Sequence, residues 1–285
     1  MPLEIRMNHY KSFFMGIERL KVLAAGILLL VFSLSSFSQP KTLEVGAAAG
    51  GMYYIGELNP YLPFNQTQLA YGALARLNLN YRWTVKLSYT RGKIKGNDMT
   101  TEAVTGRDLN VKTKINDYSL VAEFNFWEYF TGSKRNYMSP YLFAGVTYFT
   151  FKTADLNGVL LQPQGTEGQN IGFDGRSPYN QFGVAFPFGI GFKYSINERV
   201  GLALEWGMRK TFTDYLDDIS TTYYFDAPAV SSPNETQLLS DPTMTHDTYM
   251  QRGNDGTNDW YSFAGLTVTY KINLINKRKC NLKGW

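Results

Sequence analysis

Along residues 69–82 apolar and polar positions alternate with a period of two: Leu69, Tyr71, Ala73, Ala75, Leu77, Leu79 and Tyr81 fall on one side, and Ala70, Gly72, Leu74, Arg76, Asn78, Asn80 and Arg82 on the other. Successive side chains of a β-strand point to opposite faces. The spacing therefore predicts a strand with one apolar face ending in tyrosine and one face carrying Arg and Asn. After a tight turn near Tyr81 and Arg82, Trp83, Val85, Leu87 and Tyr89 alternate with Thr84, Lys86, Ser88 and Thr90, which makes the two segments a hairpin. Six more segments follow the same rule. Residues 42–49 set Leu43, Val45, Ala47 and Ala49 against Glu44 and Gly46, and residues 117–127 set Tyr118, Leu120, Ala122, Phe124 and Phe126 against Asp117, Ser119, Glu123 and Asn125. Residues 141–151 are apolar on both faces, which leaves their orientation open. Residues 182–194 carry Phe182, Val184, Phe186, Phe188, Ile190, Phe192 and Tyr194 at unbroken period two. Pro187 lies on their opposite face, where its missing N–H predicts a bulge or a weak pairing. Val200, Leu202, Leu204, Trp206 and Met208 form the seventh strand, opposite Glu205 and Arg209, and Ala264, Leu266, Val268, Tyr270 and Ile272 form the eighth.

The connections set the topology. The turns near residues 81–82 and 197–199 are a few residues long and the link 128–139 is intermediate, whereas the links 50–68, 91–116, 152–180 and 210–259 are long. Alternating short and long connections between an even number of strands predict an all-β fold: an eight-stranded antiparallel transmembrane β-barrel with short periplasmic turns and long extracellular loops. At eight strands the lumen is filled by side chains and is not a pore. A soluble up-and-down barrel also alternates, but with its polar face outward. Tyrosines at strand ends, long polar loops and an export signal favour the membrane form.

Composition supports the same class. The chain has 285 residues, with 20 Tyr, 19 Phe and 5 Trp but only 18% charged residues. A soluble domain carries nearer a quarter charged residues, and a disordered chain is poor in aromatics. A multi-helix membrane protein needs several apolar runs of about 20 residues, yet mean hydropathy is −0.26 and only one run, at the N-terminus, comes close. That run reads as a cleaved signal peptide over residues 1–38. Arg6, Lys11, Arg19 and Lys21 precede an apolar stretch from Val22 to Leu34, and Ser36 and Ser38 place small residues at −3 and −1 of a cut between Ser38 and Gln39. The basic segment is long enough for Met7 or Met15 to be the start. Removing residues 1–38, with four basic and two acidic side chains, leaves 24 basic and 22 acidic residues. So near-neutral a chain argues against nucleic acid as a partner. Residues 39–275 then form the barrel, and 276–285 a basic periplasmic tail. Cys280, the single cysteine, makes no internal disulfide.

Candidate chemistry is thin. His246, within Pro242-Thr243-Met244-Thr245-His246-Asp247, lies deep in the longest loop, far from any strand end, and reads as a solvated loop histidine, not as the base of a lipid-modifying barrel enzyme. Asp214, Asp217 and Asp218 offer hard oxygens for Ca²⁺ but lack the Asp-x-Asp-x-Asp-Gly spacing, so a solvated or Arg-paired cluster is expected. The glycines between Gly46 and Gly51 lack the Gly-Lys-Ser/Thr ending of a phosphate loop, which points to close backbone packing. No catalytic residue, metal or cofactor is expected.

Longer blocks carry a resemblance. Gly50-Gly51-Met52-Tyr53-Tyr54-Ile55-Gly56-Glu57-Leu58-Asn59-Pro60, Tyr71-Gly72, the run Arg209-Lys210-Thr211-Phe212-Thr213-Asp214-Tyr215-Leu216-Asp217-Asp218-Ile219-Ser220-Thr221-Thr222-Tyr223-Tyr224, Gln251-Arg252-Gly253-Asn254, Asn258-Asp259-Trp260-Tyr261 and Phe263-Ala264-Gly265 resemble the Bacteroidetes outer-membrane barrels grouped with PorG of the type IX secretion system. The resemblance implies a non-enzymatic outer-membrane component that anchors or positions a periplasmic ring of a lipoprotein and its partner. It also implies a role in secreting cargo with a C-terminal signal, linked in some bacteria to gliding motility, and brings no catalytic residues. The expected partners are outer-membrane lipids and the ring proteins. The expected contact residues are Arg82 and Arg199 in the short turns, and Lys277, Arg278, Lys279 and Trp285 in the tail. A surface-exposed structural or ligand-binding barrel, adhesin-like or stabilising, is the alternative.

Overall fold

The computed structural model describes residues 41–101, 104 and 106–274. The expected signal peptide, its cut at Ser38 and Gln39, Cys280 and the contact residues Lys277, Arg278, Lys279 and Trp285 lie outside the described residues. Eight strands, β1 (Thr42–Ile55), β2 (Gln68–Asn78), β3 (Trp83–Asn97), β4 (Asn110–Asn125), β5 (Met138–Ala154), β6 (Phe182–Ser195), β7 (Val200–Thr211) and β8 (Trp260–Asn273), pair in sequence order. All pairs are antiparallel, and β1 closes on β8 from Thr42↔Asn273 to Ile55↔Trp260. Closure gives every strand two neighbours, so no edge is left with unpaired backbone groups.

The alternation sorts residues as the sequence predicts, and it decides which side meets lipid. Leu87, Leu120, Val146, Ile190, Leu204 and Leu266 point outward and are 47–61% exposed, whereas Arg76, Lys86, Asp117, Glu123, Lys193, Glu205 and Arg209 point inward and are buried. An exposed leucine and valine belt around a charged interior is unstable in water and stable in a bilayer. The soluble barrel is thereby excluded, and the protein is an outer-membrane β-barrel.

β5, apolar on both faces, turns Tyr141, Phe143, Phe149 and Phe151 inward. These rings fill the space left by glycines on the neighbouring strands: Tyr141 lies over Gly191, Phe143 over Gly189 and Gly207, and Phe149 over Gly183. Gly46 and Gly50 of β1 lie directly against the β8 backbone, as expected of close packing. At Pro187 the β5–β6 pairing stops after Ala144↔Phe188 and resumes at Thr147↔Ala185 in the same register, a weak pairing without a bulge.

The strands run further outward than the sequence spacing indicated. β1 continues to Ile55, β3 to Asn97 and β5 to Ala154, while β4 begins at Asn110. The segments 91–97 and 110–116, read as loop, keep period two with Lys and Arg in place of the apolar outward residues. The barrel wall continues past the lipid band, and there its outward face changes from apolar to basic.

Candidate functional site: a filled lumen between two rims

The cations Arg76, Lys86, Lys193 and Arg209 and the anions Glu44, Asp117, Glu123 and Glu205 are buried in the lumen. Glu123 is the hub, with Arg76 Nε at 3.2 Å, Lys86 Nζ at 3.3 Å and Lys193 Nζ at 2.6 Å. Lys86 also pairs with Glu205, which accepts from the Tyr141 hydroxyl at 2.9 Å. Above them, Arg209 lies 3.2 Å from Asp117, which accepts from the hydroxyls of Tyr261 at 2.9 Å and Ser119 at 2.5 Å. Below, Glu44 accepts from Asn78 at 2.9 Å, Thr131 at 2.6 Å and Thr269 at 3.1 Å. Buried charges are tolerated because each meets an opposite charge or a donor.

Both ends are closed. At the short-turn end the connection 126–137 folds across the lumen. Its Thr131 reaches Glu44, its carbonyl there accepts from Lys271, and the Gly132 N–H donates to Ser195 Oγ at 2.7 Å. Gly132 sits at φ +91° against the Glu198 backbone, a place where a Cβ does not fit. At the long-loop end Leu58, Leu216 and Ile219 enter an apolar layer with Ile94, Ile115, Phe149, Phe151 and Phe263. The Leu216 carbonyl is held by the hydroxyls of Thr113 at 2.8 Å and Thr153 at 2.9 Å.

The long loops form an ordered cap, joined by buried charged groups that the sequence did not single out. Arg107 holds Asp98 through two 2.7 Å bonds and the Arg252 carbonyl, while Arg252 donates to Glu167 at 2.9 Å and to the Asp218 carbonyl at 2.7 Å. Glu167 also takes the N–H groups of Ser220 at 2.9 Å and Thr221 at 3.1 Å.

Of the acidic group Asp214, Asp217 and Asp218, none is solvated. Asp218 accepts from Thr166 at 2.5 Å and Tyr179 at 2.6 Å, and burial pushes its carboxyl up to about 6. Asp217 shares the Tyr54 hydroxyl with Asp259, at 2.5 and 2.8 Å. Glu57, Asp214 and Asp259 bring carboxylate oxygens within 4.8 Å of one another, and both Asp214 oxygens are buried without a donor. Burial, with Glu57 alongside, pushes Asp214 up to about 8, and burial raises Asp259 well above its usual range. A hard divalent cation would fit these oxygens.

His246 is not the solvated residue expected. It stacks on Tyr223 with ring centroids 4.4 Å apart, and its Nδ1 lies 3.0 Å from Asp241 Oδ1. Asp241 organises the loop by accepting the N–H groups of Thr245 and His246 at 3.0 Å.

The described contact candidates, Arg82 and Arg199, share the short-turn rim and one turn geometry. In Asn80-Tyr81-Arg82-Trp83 the Asn80 side chain accepts the N–H groups of Arg82 and Trp83, both at 2.8 Å. In Asn197-Glu198-Arg199-Val200 the Asn197 side chain accepts those of Arg199 and Val200, both at 2.9 Å. Each arginine is exposed two residues after its asparagine, Arg82 reaching the Phe126 carbonyl at 2.7 Å and Arg199 the Tyr270 hydroxyl at 2.9 Å. Among the described residues this rim exposes Lys41, Arg82, Lys134, Arg135 and Arg199 against Glu128 and Glu198, and so is basic.

No curated protein matches the sequence. Among solved structures, the N-terminal β-barrel domain of OprF from Pseudomonas aeruginosa is 14% identical, with 82% of this chain and 98% of that one covered at a TM-score of 0.36. Neisserial surface protein A is 12% identical, with 81% and 97% covered at 0.40, and the attachment invasion locus protein Ail of Yersinia pestis is 10% identical, with 82% and 99% covered at 0.37. Residues 21–224 match the family described as a domain of unknown function, DUF6089, and the chain belongs to that family.

Proposed function

We propose that this barrel is a non-enzymatic outer-membrane component of the type IX protein secretion machinery, anchoring or positioning a periplasmic ring of a lipoprotein and its partner. The observation that carries the reading is the filled lumen. With Glu123, Arg76, Lys86 and Lys193 paired across it and both ends covered, the barrel offers no conduit and acts through its outer surfaces. The basic short-turn rim supplies such a surface on the periplasmic side, with Arg82 and Arg199 in matched turns; in the sequence Lys277, Arg278, Lys279 and Trp285 come after β8 and are the further contact residues of this proposal. A basic rim suits an acidic partner face. The sequence blocks resembling the PorG group support the identity of that partner.

A clean deletion, assayed in one strain for secreted cargo and for ring assembly, tests the proposal. Loss of both is expected, and intact secretion would overturn the function while leaving the fold untouched. The alternative, a surface barrel engaging external ligands, draws on the ordered cap over the long-loop end. Proximity labelling from the periplasmic side separates the two: labelled ring proteins favour secretion, labelled surface components alone favour the alternative.

A further inference from the structure

The outward face of β3, β4 and β5 reads as successive rows crossing a membrane boundary. Leu87, Leu120 and Val146 form one row, and the next is Tyr89, Tyr118 and Tyr148, with ring centroids 5.1 and 6.3 Å apart. Above the tyrosines come Arg91, Asn116 and Thr150, then Lys93, Lys114 and Lys152, then Lys95, Lys112 and Ala154. Tyrosines in such a row mark the level of the lipid headgroups. Each row adds about 7 Å along the strand, or about 5 Å along the membrane normal at a 45° tilt. The Arg91 and Lys93 rows thus stand in the polar layer of the outer leaflet and just beyond it.

These six cations differ from Arg76, Lys86, Lys193 and Arg209 in the lumen, each of which meets a carboxylate. Arg91, Lys93, Lys95, Lys112, Lys114 and Lys152 make no ion pair among the described residues. Lys93 lies directly opposite Lys114, Lys114 opposite Lys152, and Lys95 opposite Lys112. Like charges at facing positions of neighbouring strands repel, and no anion among the described residues pairs with them. Ammonium groups on flexible stems, spread over three adjacent strands, match several phosphate oxygens at once.

We propose that this wall is a binding site for the phosphate groups of an outer-leaflet glycolipid of the lipid A type. The tyrosine row seats beside the acyl chains, and the lysine rows neutralise the headgroup phosphates. The site lies at the opposite end of the barrel from the rim assigned to the ring proteins and is independent of that assignment.

The test uses the full mature barrel, folded in neutral detergent micelles and immobilised, with diphosphorylated lipid A, enzymatically dephosphorylated lipid A and inorganic phosphate as probes. The wild type is expected to retain the phosphorylated lipid at least tenfold better than the dephosphorylated one, with the preference shrinking as salt rises. The triple variant Lys93→Gln/Lys114→Gln/Lys152→Gln is expected to lose that preference while unfolding at the same or a higher temperature. The single variant Lys114→Gln is expected to show a partial loss. Equal retention of both lipids, or undiminished binding by a folded triple variant, would overturn the site. Displacement of the lipid by inorganic phosphate at equal concentration would overturn the lipid assignment, because a general anion site then accounts for the binding.

Discussion

The lumen and the outer wall of β3–β5 hold comparable numbers of charges in one barrel and treat them in opposite ways. Inside, Arg76, Lys86, Lys193 and Arg209 meet Glu123, Glu205 and Asp117 within hydrogen-bonding reach, and Glu44 is satisfied by neutral donors. Outside, Lys93, Lys114 and Lys152 face one another across the strands with no counter-charge among the described residues. A buried charge must be compensated by the chain itself, because water and ions cannot reach it. An exposed one can be compensated by its surroundings. The lumen network therefore belongs to stability and the lysine rows to recognition.

Mutation should separate the two sets sharply. Glu123→Ala leaves Arg76, Lys86 and Lys193 facing one another without an anion, and a loss of about 3–5 kcal/mol is expected in urea unfolding of the barrel in vesicles. A next-largest effect is expected in the cap. Asp241→Asn weakens the charge-assisted bonds from Thr245 and His246 and should cost about 1.5–3 kcal/mol of local stability, read as faster hydrogen exchange in residues 242–250.

The pH dependence of Asp241 follows from its shift. Burial raises its pKa, but the donors from His246 and Thr243 outweigh burial and hold the carboxyl below its usual value. A carboxyl depressed on folding stabilises the fold above its unfolded pKa. Protection of residues 242–250 should therefore persist at pH 5 and fade as the pH drops below about 4.

Smaller still, Lys114→Gln in phosphate-free micelles should raise stability by about 0.2–1 kcal/mol by relieving cross-strand repulsion. A cost matching that of Glu123→Ala would break the contrast between wall and lumen. Exchanging Arg82 and Arg199 for alanine should change stability by less than about 0.5 kcal/mol, since both are exposed. The same pair of changes should reduce recovery of ring proteins in a pull-down from the outer membrane.

The eight strands are legible because period two survives wherever one face meets lipid and the other is polar, as in β2 and β7, or small, as in β6. β5 was ambiguous for a physical reason: its inward aromatics complement glycines on β6 and β7, a relation between strands that one segment cannot display. The outer ends of β3 and β4 resemble loop in the sequence because there the outward face carries no apolar residues. Arg91-x-Lys93-x-Lys95 and Lys112-x-Lys114 keep the alternation with the other polarity, around Ile94 and Thr113, and that was the available signal. The cap was the least legible. Glu57, Arg107 and Glu167 come from three different loops and Arg252 and Asp259 from a fourth, and no local spacing announces that they meet. Asp217 and Asp218 read as a solvated or Arg-paired cluster; Asp218 lies 3.9 Å from Arg252, both are buried, and Leu216 and Ile219 beside them carry the loop into the barrel mouth.

That the barrel acts through its surfaces and not through its lumen is tested most directly by single-channel recording of the purified mature protein in a planar bilayer. A silent membrane is expected across the voltage range, because Glu123 and its three cations block the middle and residues 126–137 and 212–259 cover the ends. Stable, stepwise, voltage-independent conductance from the folded protein would contradict it.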